Sequence, residues 1–171
     1  MRAGLMEKKM NRMTVISYMA VVVITILYAI TLRKYGLEIQ NDSCSYIRGA
    51  LNINKGLGFT GGGRYINHFP AGMSILYAFI SAACHMTIYK TALICHLCWI
   101  AGLGFIFIQL MRILHIADAL WPLGLILFLF SPPLWTISSK FLTELPSAFL
   151  LGLSTLFLFQ FINEKGPRYR L

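Results

Sequence analysis

MTVISYMAVVVITILYAITL, residues 13–32, decides the class of the fold. The run contains no charged side chain, and its length matches the ~20 residues that an α-helix needs to cross the hydrocarbon core of a bilayer. Arg12 precedes it and Arg33 follows it, so charges bound it on both sides. The apolar core of a cleaved signal peptide is shorter, about 7–15 residues, so we interpret the run as an uncleaved membrane anchor.

The composition of the whole chain supports the same class. Of its 171 residues, 57% are hydrophobic and 12% are charged, whereas soluble domains carry about 25% charged residues. The net charge of +9 comes from basic residues at the ends of apolar runs, which is the positive-inside pattern of membrane proteins. The sequence lacks a clustered basic face with interleaved aromatic residues, so nucleic acid is excluded as a partner. We therefore predict an all-α integral membrane protein that lies in the lipid bilayer.

Further apolar runs follow the first one. The run Phe69–Met86 is interrupted by Pro70 and several polar residues, and a re-entrant or interfacial helix fits it as well as a full span. We predict a single membrane domain over residues 1–171, with about four transmembrane helices and one re-entrant or short fifth helix. The three remaining spans are predicted at Thr91–Met111, Ala119–Ile137 and Phe141–Ile162.

Basic residues decide the predicted orientation. If Phe69–Met86 does not cross, Arg112 and the basic tail of the chain fall on the same side as the basic N-terminus. The positive-inside rule favours this arrangement and places the N-terminus in the cytoplasm. Residues 33–68 then form the first outer loop, and the loop around residues 135–144 lies at the same outer face.

The first outer loop begins with signals for a helix. Asn41 or Asp42 can cap a helix that runs to about Lys55, and Gly56 is a natural stop. Its spacing predicts an amphipathic helix, which we expect to lie in the membrane interface. The residues predicted on its apolar face are Cys44, Ile47, Ala50 and Leu51.

Two short motifs are interpreted as structural. The segment Gly56–Gly61 fits G-x-G-x-x-G, but a dinucleotide site requires a preceding strand and a following helix. Because a predicted helix precedes it and Gly62-Gly63 follows, we expect a flexible loop tip. Cys95-His-Leu-Cys98 has no second ligand pair at zinc spacing, so no metal site is predicted there.

Two of the six acidic residues, Asp42 and Glu144, fall at the outer face in this topology. A carboxylate at that depth is costly unless it is paired or used in function. The alternative is structural, with Asp42 capping a helix and Glu144 pairing with Lys140 four residues earlier. Other polar candidates at the same face are Tyr46, Arg48, Arg64, His68 and Lys140.

The order of these motifs resembles the outer loops of membrane glycosyltransferases with the GT-C fold, such as the protein mannosyltransferase, aminoarabinose transferase and oligosaccharyltransferase families. The resemblance covers residues 13–162. The elements that carry it are Asp42-x-x-x-Tyr46-x-x-x-Ala50, Gly56-x-Gly58, His68-Phe-Pro-Ala-Gly72, and Ser131-Pro132 through Thr143-Glu144-Leu145.

The resemblance implies transfer of a sugar from a polyprenyl-phosphate donor to an acceptor at the outer face of a bacterial inner membrane. Asp42 would be the catalytic carboxylate that activates or positions the nucleophile of the acceptor. Glu144 would bind the acceptor, a divalent metal or the donor phosphate, and the need for a metal stays open. Tyr46 would bind substrate, and His68 would bind the acceptor or the phosphate. The basic residues that would hold the lipid phosphate are Arg48, Arg64 and Lys140.

Two features depart from the family pattern. Ala71 stands where the family has the second proline of a pair, and the chains of the family are much longer, with many more spans. We therefore expect a truncated or split enzyme that a second membrane polypeptide completes, or a short relative. The alternative is a non-enzymatic scaffold or subunit that binds a partner through small-residue faces such as Ala101–Gly104. A fragment of a transporter is a weaker third option.

Overall fold

A computed structural model describes residues 12–141 and 143–164. The described part consists of α-helices, one 3-10 helix (Asp118–Leu120) and one small β-hairpin. The basic residues before Arg12 and in the tail, on which the predicted orientation depends, lie outside the described residues. The elements are α1 (Arg12–Tyr35), α2 (Asn41–Asn54), β1 (Thr60–Gly61), β2 (Arg64–Tyr65), α3 (Gly72–Ala83), α4 (Ile88–Ile113), α5 (Trp121–Leu129), α6 (Pro132–Ser138) and α7 (Glu144–Glu164).

Three helices, α1, α4 and α7, are long and apolar enough to cross a membrane. They correspond to the predicted spans that begin at Met13, Thr91 and Phe141. α7 begins at Glu144 rather than at Phe141, which leaves Pro146 in the first turn, where a missing N–H breaks no helical hydrogen bond. The all-α class with membrane-spanning helices is therefore supported.

The predicted span Ala119–Ile137 is wrong as a single helix. α5 ends at Leu129 and α6 begins at Pro132, with a bend of 53° between the pair. Pro132 and Pro133 lack a backbone N–H, and a residue before proline avoids the helical region. Ser131 accordingly has φ −59° and ψ 136°. The span count is three, or four if the bent pair crosses as one unit, so it is lower than the predicted number of about four plus a fifth helix.

The run Phe69–Met86 forms a short helix. α3 has 12 residues, so it is ~18 Å long, whereas the hydrocarbon core of a bilayer is ~30 Å thick. The hydroxyl of Ser74 in α3 donates to the backbone carbonyl of Tyr46 in α2 at 2.8 Å. α3 therefore packs on α2, which agrees with the short extra helix that the sequence predicts.

Contacts at both ends show that α1 and α4 run antiparallel. The backbone N–H of Leu37, just beyond α1, donates to the hydroxyl of Tyr89 near the start of α4 (2.8 Å). At the other end, Nε2 of Gln109 donates to the hydroxyl of Tyr18 (2.7 Å). We call the end of the bundle with the Leu37–Tyr89 contact the Asp42 end, because α2 begins just beyond it.

The small-residue face of α4 is covered by helices of the same chain. A β-carbon at Gly104 would lie 2.9 Å from Val21 of α1 and 3.3 Å from Leu129 of α5. One at Gly102 would meet the ring of Phe149 in α7. The hypothesis that Ala101–Gly104 binds a separate partner is therefore wrong, because α1, α5 and α7 occupy this face.

Candidate functional site

Asp42 lies in the first turn of α2. The helix begins at Asn41, and the residue before it is Gln40, whose backbone N–H donates to Oγ of Ser43 (3.0 Å). The cap is therefore Gln40, and the prediction of a cap at Asn41 or Asp42 is wrong. The Asp42 side chain is exposed, and the positive end of the helix dipole stabilises a carboxylate at this position.

The face of α2 that packs on the protein differs from the predicted apolar face. Of that predicted face only Ala50 is buried, whereas Cys44 and Leu51 are exposed. The difference arises because the small residues of α2 face α3. At Gly49, for example, a β-carbon would lie 3.1 Å from Oγ of Ser74 in α3. Cys44 and Leu51 therefore lie on the outer side of α2. The buried residues of α2 are Ser43, Tyr46, Gly49 and Ala50.

Tyr46 is within reach of the charges of both acidic residues singled out in the sequence. Its side chain is buried, at 4% exposure, and its hydroxyl forms a hydrogen bond with the side chain of Thr143. Burial raises the pKa of Tyr46 above its usual value, and the negative charges of Asp42 and Glu144 raise this pKa further, against the lowering effect of the Thr143 bond. Both carboxylates therefore act on the same phenol, although they are far apart in the sequence.

Backbone pairing holds the segment before Glu144 beside the first loop. The N–H of Glu38 donates to the carbonyl of Ser139 (2.8 Å), and the N–H of Phe141 donates to the carbonyl of Glu38 (3.1 Å). His96 of α4 is fully buried, and its Nε2 lies 3.0 Å from the carbonyl oxygen of Lys140. Sequence reasoning missed His96 as a structural residue. The available signal was an ionisable side chain within a predicted span.

Residues 60–65 form a hairpin instead of the flexible loop tip that the sequence predicts. The turn residues Gly62 and Gly63 have φ of 61° and 78°, the left-handed values that a type I′ hairpin turn requires at both positions. Nδ2 of Asn52 in α2 donates to the carbonyl of Thr60 (2.8 Å). The hairpin is thus tied to the helix, and its place after α2 agrees with the rejection of a dinucleotide motif.

A cleft of about 510 Å³ lies between α2 and the hairpin with the segment that follows it. The stem of Arg48 lies against the hairpin, since a β-carbon on Gly61 would be 3.4 Å from Cδ of Arg48. Two guanidinium groups and an imidazole in one cleft suit a phosphate ligand. The cleft is lined by three of the predicted site residues, Arg48, Arg64 and His68, and by Cys44, Ser45, Gly61, Tyr65, Ile66 and Asn67.

Six of the seven predicted site residues therefore fall into two groups, the acidic group (Asp42, Tyr46 and Glu144) and the basic cleft (Arg48, Arg64 and His68). Helical spacing places Tyr46 and Arg48 on different sides of α2. The groups nevertheless approach each other along the helix, because Ser45 at the edge of the cleft is about 5 Å from Asp42 along the axis.

Lys140 joins neither group. It is half-buried, and its position is set by the contact of its carbonyl with His96. Among residues 12–141 and 143–164, no ion pair joins its ammonium group to Glu144, so the structural alternative of an i−4 salt bridge is not found.

Within the described ranges, no three His, Cys, Asp or Glu side chains are grouped so that they could hold a metal ion. The candidate site consists of two exposed carboxylates whose charges reach one buried tyrosine, and of a basic cleft on the same helix. The chain matches no protein-family model, and no curated protein or solved structure is significantly similar to it.

Proposed function

We propose that the chain is a glycosyltransferase of the GT-C type, or part of one, that takes a sugar from a polyprenyl-phosphate donor. The observation that carries the proposal is that Tyr46 bonds to Thr143 next to Glu144 and feels the charges of both Asp42 and Glu144, on a helix that also lines a cleft with two arginines. The site lies at one end of helices that are long and apolar enough to cross a membrane. A lipid-linked donor would reach such a position directly from the bilayer.

In the proposed reaction the donor phosphate lies in the basic cleft. Arg48 and Arg64 stabilise the negative charge that the polyprenyl phosphate gains as the bond from its oxygen to the anomeric carbon breaks. The acceptor oxygen bonds to that carbon, and its proton passes to the carboxylate of Asp42. Glu144 orients the acceptor.

Sugar transfer from synthetic polyprenyl-phosphate donors, measured in membranes that contain the protein, tests this proposal. General-base catalysis contributes about 10²–10⁴-fold, so Asp42→Asn should reduce the rate by at least about 100-fold. Glu38→Gln is the matched control, because Glu38 is an exposed carboxylate at the same end of the bundle. Equal rates for the parent and Asp42→Asn would remove Asp42 as the base and refute the proposal.

A second candidate function is that of a non-enzymatic subunit of a larger membrane complex. The observation that favours it is the surface of α7, on which Leu150, Leu151 and Phe157 are 60%, 70% and 59% exposed. Such a helix offers a long apolar face to a neighbouring transmembrane helix. Co-purification of a second integral membrane protein, unaffected by Asp42→Asn and lost on Leu151→Trp, would favour this role. A second polypeptide that completes the transferase would instead co-purify and also support Asp42-dependent transfer.

A further inference from the structure

A groove of about 340 Å³ lies between α1 and α4, on residues that belong to neither the acidic group nor the basic cleft. On α4, Leu93 and Leu97 follow Tyr89 at successive turns, and on α1, Ala29 lies one turn before Arg33. The groove therefore follows the helix axes for about 12 Å. The residues that line it are Ala29, Leu32, Arg33, Gly36, Tyr89, Leu93 and Leu97.

The mouth of the groove, towards the Asp42 end, carries its polar groups. The hydroxyl of Tyr89 is held there because it accepts the N–H of Leu37 at 2.8 Å. Gly36 has φ of 76°, and a β-carbon on it would meet this hydroxyl, so glycine keeps the mouth open. Among the described residues, no group accepts the hydrogen of the Tyr89 hydroxyl and no carboxylate pairs with Arg33.

The depth of these groups matches the layers of a bilayer. Arg33 follows the apolar run of α1 directly, which is the level at which basic side chains meet lipid headgroups. The lower part of the groove lies along the apolar run and is lined by Ala29, Leu93 and Leu97. Lys34 and Lys90 are exposed on the same two helices near the mouth, and Glu38 is the one exposed carboxylate of the adjoining segment 36–40. With Arg33, the charge around the mouth is positive on balance.

We propose that this groove binds an anionic phospholipid of the bilayer. The lipid phosphate lies against Arg33 and the Tyr89 hydroxyl, and one acyl chain fills the apolar part. Guanidinium and hydroxyl donors suit a phosphodiester, and the excess of positive charge around the mouth favours lipids with a net negative headgroup over zwitterionic ones. This site is independent of the proposed transferase activity, since none of its residues belongs to the candidate site.

The test uses the purified full chain in phosphatidylcholine nanodiscs that contain a small fraction of spin-labelled phosphatidylglycerol. We expect more immobilised label than with spin-labelled phosphatidylcholine, and we expect Arg33→Gln to reduce the preference about fivefold. Arg112→Gln is the matched control, because Arg112 is an exposed arginine in the last turn of α4, away from the groove. Ala29→Phe fills the apolar part and should reduce the immobilised fraction without removing a charge.

Equal immobilisation of the two lipids, or equal effects of Arg33→Gln and Arg112→Gln, would overturn the proposal that the groove binds an anionic phospholipid. Displacement of the label by millimolar inorganic phosphate would also overturn it, since it would show a site for free anions. Circular dichroism of Arg33→Gln should match that of the parent, because the Arg33 side chain is exposed.

Discussion

Replacing His96 by alanine is expected to loosen the segment that leads to Glu144. The imidazole is fully buried, with Nδ1 2.8 Å from the carbonyl of Ala92 and Nε2 3.0 Å from the carbonyl of Lys140. Ala92 already accepts the helical hydrogen bond of α4 from the His96 backbone. A carbonyl oxygen only accepts, so a neutral ring can donate to just one of these two carbonyls. The carbonyl of Ala92 keeps its backbone bond without the ring, so the carbonyl of Lys140 is the one that alanine would leave without a donor.

The expected loss in the free energy of unfolding follows from the contacts that His96→Ala removes. A buried carbonyl that loses its donor costs about 1–3 kcal/mol. The ring also packs on Trp99 and Phe141, with centroids 5.3 and 6.3 Å apart, and such contacts contribute about 0.5–1.5 kcal/mol. We expect a loss of about 2–4 kcal/mol in the free energy of unfolding, and His96→Gln should recover part of it because its amide can donate.

Denaturant unfolding in detergent, followed by tryptophan fluorescence, measures the global effect. Amide hydrogen exchange measures the local effect at Glu38 and Phe141, whose N–H groups pair the first loop with residues 139–141. The control is His85→Asn, since His85 is exposed and has φ of 53°, a conformation that asparagine tolerates.

Two results would contradict this reasoning. One is a change below about 0.5 kcal/mol for His96→Ala, the size typical of a surface substitution. The other is a large global loss with no faster exchange at Glu38 and Phe141, which would show that His96 supports α4 alone rather than the connection to the site.

Three further predictions concern the helix break, α2 and its tyrosine. Tyr28→Phe should cost about 1–3 kcal/mol, because the Tyr28 hydroxyl donates to the carbonyl of Leu129 (3.0 Å) at the end of α5; unfolding identical to the parent would contradict it. Gly49→Val should destabilise the protein and expose the hairpin to protease, because a β-carbon at Gly49 would meet the ring of Phe59, the residue just before β1. Unchanged cleavage would count against this packing. The phenol of Tyr46 should titrate above its usual pKa of about 10, and Asp42→Asn should lower this pKa by removing a negative charge. Since the folded state favours the protonated phenol, its contribution to stability is present at neutral pH and is lost as the pH rises beyond about 10; ultraviolet absorbance with Tyr46→Phe as reference checks both statements.

The spans α1 and α4 are predictable from sequence because apolar length is a local property. The break between α5 and α6 has a local signal too, Ser131-Pro132-Pro133, but the length of the apolar run outweighs it when the run is taken as one span. The bond from Tyr28 to Leu129 joins residues that are distant in the sequence. It satisfies a carbonyl that the break leaves free, which no local pattern reveals.

α2 shows a different limit of sequence reasoning. Periodicity identifies an apolar face, but it does not tell whether that face meets protein or lipid. Here the face with Gly49 and Ala50 packs on α3, because small residues allow close approach, and Leu51 stays exposed. The hairpin had a usable signal in Gly62-Gly63, since two consecutive glycines are typical of a type I′ turn.

The arrangement of the candidate site places a geometric demand on the proposed chemistry. Topology alone predicts that Asp42 and Glu144 share a face, but the contact of Tyr46 with Thr143 depends on the pairing of Glu38 with residues 139–141. The two arginines lie across α2 from Tyr46, so a donor held by them reaches Asp42 only if its sugar passes over the first turn of α2. Ser45, which is half-buried at the edge of the cleft, lies on that path. Ser45→Trp should therefore impair transfer more strongly than it weakens phosphate binding, although Ser45 also lines the cleft. Unchanged transfer in Ser45→Trp would separate the acidic group from the cleft and leave the proposed reaction without a donor site.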